Sequence, residues 1–173
     1  MELRLSRCTL RPWRRGDEAS LVRHANNRNI SRNLRDRFPF PYTAADADAW
    51  ISSQVGQAPP TSLAIVVHGE VVGGIGVQLR DDERRRTAEI GYWLAEPFWG
   101  RGIASEALRA MTAYAFEQFD LTRLEAGVFS WNPASARVLE KCGYVIEGRA
   151  RSAVVKDGRT GDRLLYGLIR AGG

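Results

Sequence analysis

Cysteine and histidine are scarce in this chain, with two of each among 173 residues. Cys8 and Cys142 have no neighbours at metal-ligand spacing, so neither a disulfide framework nor a metal site is expected, and both read as small buried apolar residues. His24 falls at a helix end and His68 at a hairpin turn, with no carboxylate or nucleophile at a telling spacing, so both read as solvent-facing. No apolar run approaches the roughly 20 residues that a membrane span needs. The stretch Met1 to Arg15 is arginine-rich and lacks the apolar core of a signal peptide, so the expected location is cytoplasmic. Charge of one sign is not segregated either. Lys and Arg number 25 against 20 Asp and Glu, a net charge of +5. The densest basic run, Arg84 to Arg86, directly follows Asp81, Asp82 and Glu83, which reads as a solvated hairpin tip and not as a nucleic-acid face.

What is present is the composition of one globular domain spanning 1–173, with 44% hydrophobic and 26% charged residues. Leu3 to Trp13 alternates apolar and polar residues up to Pro12, as one half-buried strand would. Asp17 is placed to cap a helix over Ala19 to Ala25, and a short helical stretch follows. Prolines then forbid regular helix through Phe38 to Tyr42, whose aromatics can wall a pocket. Thr43 caps a helix over Ala44 to Gln54. Ser62 to Val67 and Val71 to Leu79 are β-branched runs joined by His68-Gly69-Glu70, a hairpin by length and turn chemistry. Thr87 to Ala95 adds a third strand, in which Gly91 permits a bulge.

Ile103 to Phe119 carries Ile103, Ala107, Met111 and Tyr114 at helical spacing and is the longest helix. Leu124 to Phe129 is a strand. Asn132, Pro133 and Gly143 supply the cap, first-turn proline and terminal glycine of a helix over Pro133 to Cys142. Tyr144 to Val155 and Arg163 to Ile169 close the chain as a hairpin. The fold class is therefore α/β, a largely antiparallel sheet with helices crossing it.

The segment Phe98 to Ala104 links the third meander strand to the long helix. Strand, glycine loop, helix is the order of an anion site: the helix start offers unpaired amides and a partial positive charge, and Gly100 and Gly102 let a phosphate approach the backbone. Arg101 can add a charge-assisted contact. The loop lacks the Gly-Lys-Ser/Thr ending of a nucleoside-triphosphate loop, and Ser105 stands where the third glycine of a dinucleotide fingerprint belongs.

At Gly91-Tyr92-Trp93-Leu94, Trp99 to Leu108, Asn132-Pro133-Ala134-Ser135 and Glu140 to Tyr144, the chain resembles the GNAT acetyltransferases, and within them the ribosomal-protein alanine and serine N-acetyltransferases. The resemblance extends to Leu10-Arg11-Pro12-Trp13 at the start and to Asp157-Gly158-Arg159 with Asp162 near the end. It implies a mixed, mostly antiparallel sheet splayed between two central strands, Thr87 to Ala95 and Leu124 to Phe129, with helices on both faces. It also implies acetyl-CoA as acyl donor. The pyrophosphate would lie on the amides of Gly100, Arg101, Gly102, Ile103 and Ala104. The pantetheine arm would behave as an added strand beside Tyr92, Trp93 and Leu94, with Asn132 bonding it. Trp99 departs from the Gln or Arg that many members carry.

The implied reaction is direct attack of an amine on the thioester, which needs a base, an oxyanion donor and an acid for the leaving thiolate. Glu89 is the candidate base, against an equal structural reading as the cross-strand partner of an arginine; Asp162 is a weaker second candidate. Ser135 matches the family's serine near the sulfur and is the candidate acid, although a serine in a first helical turn is also ordinary. A backbone amide at the Gly91 bulge would hold the oxyanion. The acceptor amine favoured by the resemblance is a protein N-terminus. An aminoglycoside or polyamine acceptor, or a non-catalytic acyl-CoA sensor, stands as the alternative. No membrane or direct nucleic-acid partner is expected, and a homodimer is left open.

Overall fold

The computed structural model describes residues 1–172. Its first surprise is local. Leu3 to Trp13 is not one strand but two, β1 (Leu3–Arg4) and β2 (Thr9–Pro12), paired antiparallel with Leu3 opposite Leu10. The chain turns between them because the carboxylate of Glu106 accepts from the amides of Ser6 and Arg7 at 3.2 and 2.8 Å.

Helix α1 (Glu18–Ala25) follows, and Asp17 makes no side-chain cap for it. Both Asp17 oxygens are instead held by the Arg11 guanidinium at 2.8 and 2.7 Å, with the Arg14 amide at 3.0 Å. Arg11 and Asp17 are both buried. An unpaired charge there would be costly by several kcal/mol, so bidentate pairing outcompetes capping. The short α2 (Arg28–Ser31) is capped by Asn27, and α3 (Ala44–Gln54) begins in a capping box between Thr43 and Asp46.

Strands β3 (Ser62–Val67), β4 (Glu70–Leu79) and β5 (Thr87–Leu94) form the expected antiparallel meander. Helix α4 (Ile103–Gln118) then crosses the sheet and returns the chain as β6 (Arg123–Phe129). After α5 (Pro133–Lys141) come β7 (Val145–Lys156) and β8 (Arg159–Ile169). Spatially the order is β1-β2-β3-β4-β5-β6-β8-β7. Within this sheet only the β5–β6 junction is parallel, as a helical crossover between neighbouring strands dictates.

That junction positions the site. It is paired only from Thr87 opposite Arg123 to Glu89 opposite Glu125. Beyond it, β5 stays with β4 as far as Leu94 and β6 stays with β8 as far as Phe129, so the two central strands diverge. Gly91 carries no bulge: β4 and β5 keep one register from Gly73–Leu94 to Leu79–Ala88, with Gly91 opposite Gly76. The divergence from β6 opens the site without an extra residue in β5.

Two apolar clusters flank the sheet. Leu10, Leu63, Ile65, Ile75, Ile90 and Leu124 pack against Ala107, Leu108 and Met111 of α4. On the opposite face Trp13, Ala64 and Val71 pack against Leu21 of α1 and Ile51 of α3. Strand β3 feeds both, since alternate side chains point to opposite faces. Complete burial of each Leu or Ile stabilises by about 1.5–3 kcal/mol.

Candidate active site

A cleft of about 1500 Å³ runs from the start of α4, through the gap between β5 and β6, to the loop between α2 and α3. At its α4 end, Gly100 and Gly102 have φ of +71° and +77°, a left-handed backbone that other residues enter only with strain. Trp99 donates its amide to Glu96, and Glu106 donates its amide to Gly102 at 3.1 Å. Between them, no backbone N–H from Gly100 to Ser105 has an acceptor among the described residues. Several orphan amides at the positive end of a 16-residue helix make a strong anion cradle. Trp99 adds support, because its indole Nε1 donates to the Leu94 carbonyl at 2.7 Å and ties the loop to the end of β5. Arg101 lies over the Phe98 ring, 5.4 Å from its centroid, with its charge free for a ligand.

Glu106 anchors the cradle from beneath, joining α4 to the β1–β2 turn. Burial acts to raise its carboxyl, but the Ser6 hydroxyl and the amides of Arg7 and Ser6 together outweigh it and hold the group below its ordinary value. A depressed carboxylate stabilises the fold above its unfolded pKa, and that contribution disappears as pH falls through the folded value. Glu106→Gln is therefore expected to lose about 1 kcal/mol in urea denaturation at neutral pH, as hydrogen bonds to a charged group are removed. The gap from wild type should close on acidification below about pH 4. A gap that stays constant with pH would place the Glu106 effect elsewhere.

Along the gap, the Ala95 amide donates to Val72 at 2.7 Å. Backbone groups alternate along a strand, so those of Trp93 face β4, while those of Tyr92 and Leu94 face the opening. Of the three residues expected to present backbone to a pantetheine arm, Trp93 therefore does not. It contributes its ring, 5.8 Å from that of Phe38 in a T-shaped contact on the cleft wall. Phe38, Pro39, Tyr42 and Trp50 line the cleft, as does Trp131, whose Nε1 donates to the Arg32 carbonyl at 3.1 Å.

Ser135 sits in the first turn of α5, its amide donating to Asn132 Oδ1 at 3.4 Å. Across the gap its Oγ is 2.8 Å from the Tyr92 hydroxyl. Burial pushes the Tyr92 phenol up, and the Ser135 bond only partly opposes this, leaving it at about 12. Tyr92 thus keeps its proton through the neutral range. The Tyr92 hydroxyl also lies 3.3 Å from the Ser135 carbonyl, and in the arrangement where it donates to Ser135 Oγ instead, the serine hydrogen is free to turn into the gap. The sequence reading valued Tyr92 only for its backbone; a hydroxyl partner 43 positions away leaves no local pattern.

Glu89 lies where β5 and β6 part. Its two oxygens accept from Arg35 and Arg80, so the cross-strand reading is realised alongside its place in the cleft. Beside it, Glu125 is buried and held by Arg84 and Arg123. Arg84 makes this contact from the solvated tip expected of it, where it stays exposed. Asp162 lies outside the cleft lining; the Ser152 amide at 2.8 Å and Arg149 at 2.6 Å hold its carboxyl below the ordinary range. His24 is not solvent-facing, since it bonds Glu70 at 3.0 Å and packs on Phe98 at 6.0 Å. Cys8 is buried as expected, while Cys142 is only partly buried. Among the described residues no cluster of three potential ligands could hold a metal ion.

A profile described as an acetyltransferase (GNAT) domain matches residues 7–145. A putative ribosomal N-acetyltransferase of Bacillus subtilis is 35% identical over 106 residues, covering 61% of this chain and 57% of that protein. An Escherichia coli ribosomal-protein-serine acetyltransferase is 34% identical over 100 residues, covering 58% and 55%. The matches thus span little more than half the length of these curated relatives. A Mycobacterium smegmatis RimJ solved with a CoA disulfide superposes with a TM-score of 0.80 at 28% identity, covering 94% of this chain and 81% of that one. The splayed sheet, the amide cradle and the match over most of the sequence lead to one conclusion: this chain belongs to the GNAT acetyltransferases.

Proposed function

We propose that this protein transfers an acetyl group from acetyl-CoA to a primary amine, and that the acceptor is a protein N-terminus. The observation that carries the reading is the unbroken run of free amides from Gly100 to Ser105 at one end of the gap between β5 and β6. The cradle, with Arg101, suits a pyrophosphate, and the edge of β5, with the backbone of Tyr92 and the amide of Leu94 facing the opening, suits an amide-bearing arm that pairs as a strand. Asn132 stands at the other wall of the gap as a second partner for that arm.

In the proposed reaction the amine nitrogen attacks the thioester carbonyl, forming the C–N bond. The Tyr92 amide, which faces the opening, takes the place first assigned to a Gly91 bulge and receives the oxyanion. Collapse breaks the C–S bond, and the thiolate takes its proton from the Ser135 hydroxyl, which is regenerated from water through Tyr92. The proton leaving the amine passes through water to Glu89, which keeps lone pairs free beside its two arginines.

The protein-acceptor reading is supported by the ribosomal-protein acetyltransferases among the relatives. An amino-acid N-acetyltransferase of Escherichia coli, 28% identical over 109 residues, keeps small amines in the test. Free-thiol release from acetyl-CoA should be measured across peptides with free N-termini and a panel of small amines. Release with peptides and not with acetylated peptides is expected. Acetyl-CoA binding without thiol release from any amine would support the sensor reading instead.

A further inference from the structure

The acceptor half of the cleft carries more arginines than carboxylates. Its lining includes Arg32, Arg35, Arg37 and Arg163. The cleft's two carboxylates are already engaged: Asp46 accepts from the amide and hydroxyl of Thr43 at 2.8 Å each, and Glu89 is held by Arg35 and Arg80. Arg163 differs from the others in being half-buried. It stands on β8 opposite Phe129, on the sheet face turned away from α4. Its guanidinium lies across Gly127, where an added Cβ would stand 2.5 Å from Nη2. Only glycine on β6 leaves room for this placement. Among the described residues no carboxylate lies within ion-pairing reach of Arg163. Its sequence neighbour Asp162 projects to the other face, toward Arg149 and Ser152.

A half-buried guanidinium in a cleft, with no protein counter-ion, favours an anionic group on what enters. We infer that the acceptor carries a carboxylate or phosphate close to its reactive amine, bound by Arg163 within the field of Arg32 and Arg37. On the N-terminal reading, on which this rests, the acceptor is a peptide with Asp, Glu or a phosphoresidue just after its first residue. Such a site also repels polyamines and aminoglycosides by like charge.

The test compares kcat/KM for peptides identical except for Asp-Glu, Gly-Gly or Lys-Lys at positions two and three, together with ethanolamine, phosphoethanolamine and spermidine. The expected order is acidic, neutral, basic, with an acidic-to-neutral ratio of about tenfold at low salt that shrinks as salt is added. Arg163→Gln should bring that ratio close to one through KM, while Arg163→Lys retains most of it. If all peptides are inert but phosphoethanolamine outpaces ethanolamine, the anionic site stands and the protein-acceptor reading falls. Equal rates for acidic and neutral acceptors, a preference for spermidine, or a ratio that Arg163→Gln leaves intact would each overturn the inference.

Discussion

Replacing Gly102 with valine is expected to weaken acetyl-CoA binding at least 100-fold by calorimetry. Gly102 is the residue before the first turn of α4 and holds φ at +77°. A β-branched residue can keep that conformation only at a strain of about 1–2 kcal/mol, so the variant escapes by rotating its peptide units. Rotation turns away the amides of Gly102 and Ile103, two cleft-lining residues whose amides have no acceptor among the described residues. Each hydrogen bond from such an amide to a charged phosphate is worth about 1.5–3 kcal/mol. The loss of two therefore accounts for the stated drop and more. The new side chain also presses toward Arg7, whose Nε stands 3.2 Å from an added Cβ, but a flexible arginine yields cheaply. The melting temperature should accordingly fall by only a few degrees, since a loss of 1 kcal/mol corresponds to roughly 2–8 °C. Undiminished binding in a folded Gly102→Val protein would remove the cradle from the account.

Ser135→Ala should lower kcat by about 100-fold or more, the scale of a single general acid, while changing acetyl-CoA affinity by no more than about twofold, because the alanine removes no group of the amide cradle. The prediction depends on Tyr92. Its phenol, raised to about 12, keeps its proton through the neutral range, and when that proton goes to Ser135 Oγ the serine proton is available to sulfur. Tyr92→Phe should consequently reproduce part of the kcat loss, acting through the serine. The two substitutions together should cost less than the product of their separate effects, as coupled residues do. Unchanged turnover in Ser135→Ala would reduce the serine to its helical role beneath Asn132.

Most of the element order was legible in the sequence, because apolar periodicity and turn chemistry agreed: α3 spans Ala44–Gln54 as read, and the meander strands match to within a residue. Two misreadings share one cause, a polar side chain claimed by a partner that no local pattern shows. Asp17 caps nothing because Arg11 claims it, and the first strand breaks because Glu106 reaches back about 100 positions to Ser6 and Arg7. The cradle was legible for the opposite reason, since glycines, loop and helix start are contiguous. Acceptor-side charge was not. Arg35 and Arg80 come from separate segments and meet only at Glu89, Glu125 is brought opposite it by the β5–β6 junction, and Arg163 reaches the cleft from β8. A bulge at Gly91 was reasonable for a glycine in a strand, yet the structure opens the sheet by ending the β5–β6 pairing at Glu89.

The central claim is that the gap between β5 and β6 delivers an acetyl group to an amine. Incubating the protein with acetyl-CoA and a peptide having a free N-terminus, then mapping the product by fragmentation mass spectrometry, tests it most directly. The expected result is one acetyl group on the α-amine, formed in step with free CoA thiol and absent with Gly102→Val. Thiol release that leaves every amine unmodified, or that Gly102→Val leaves undiminished, would contradict it.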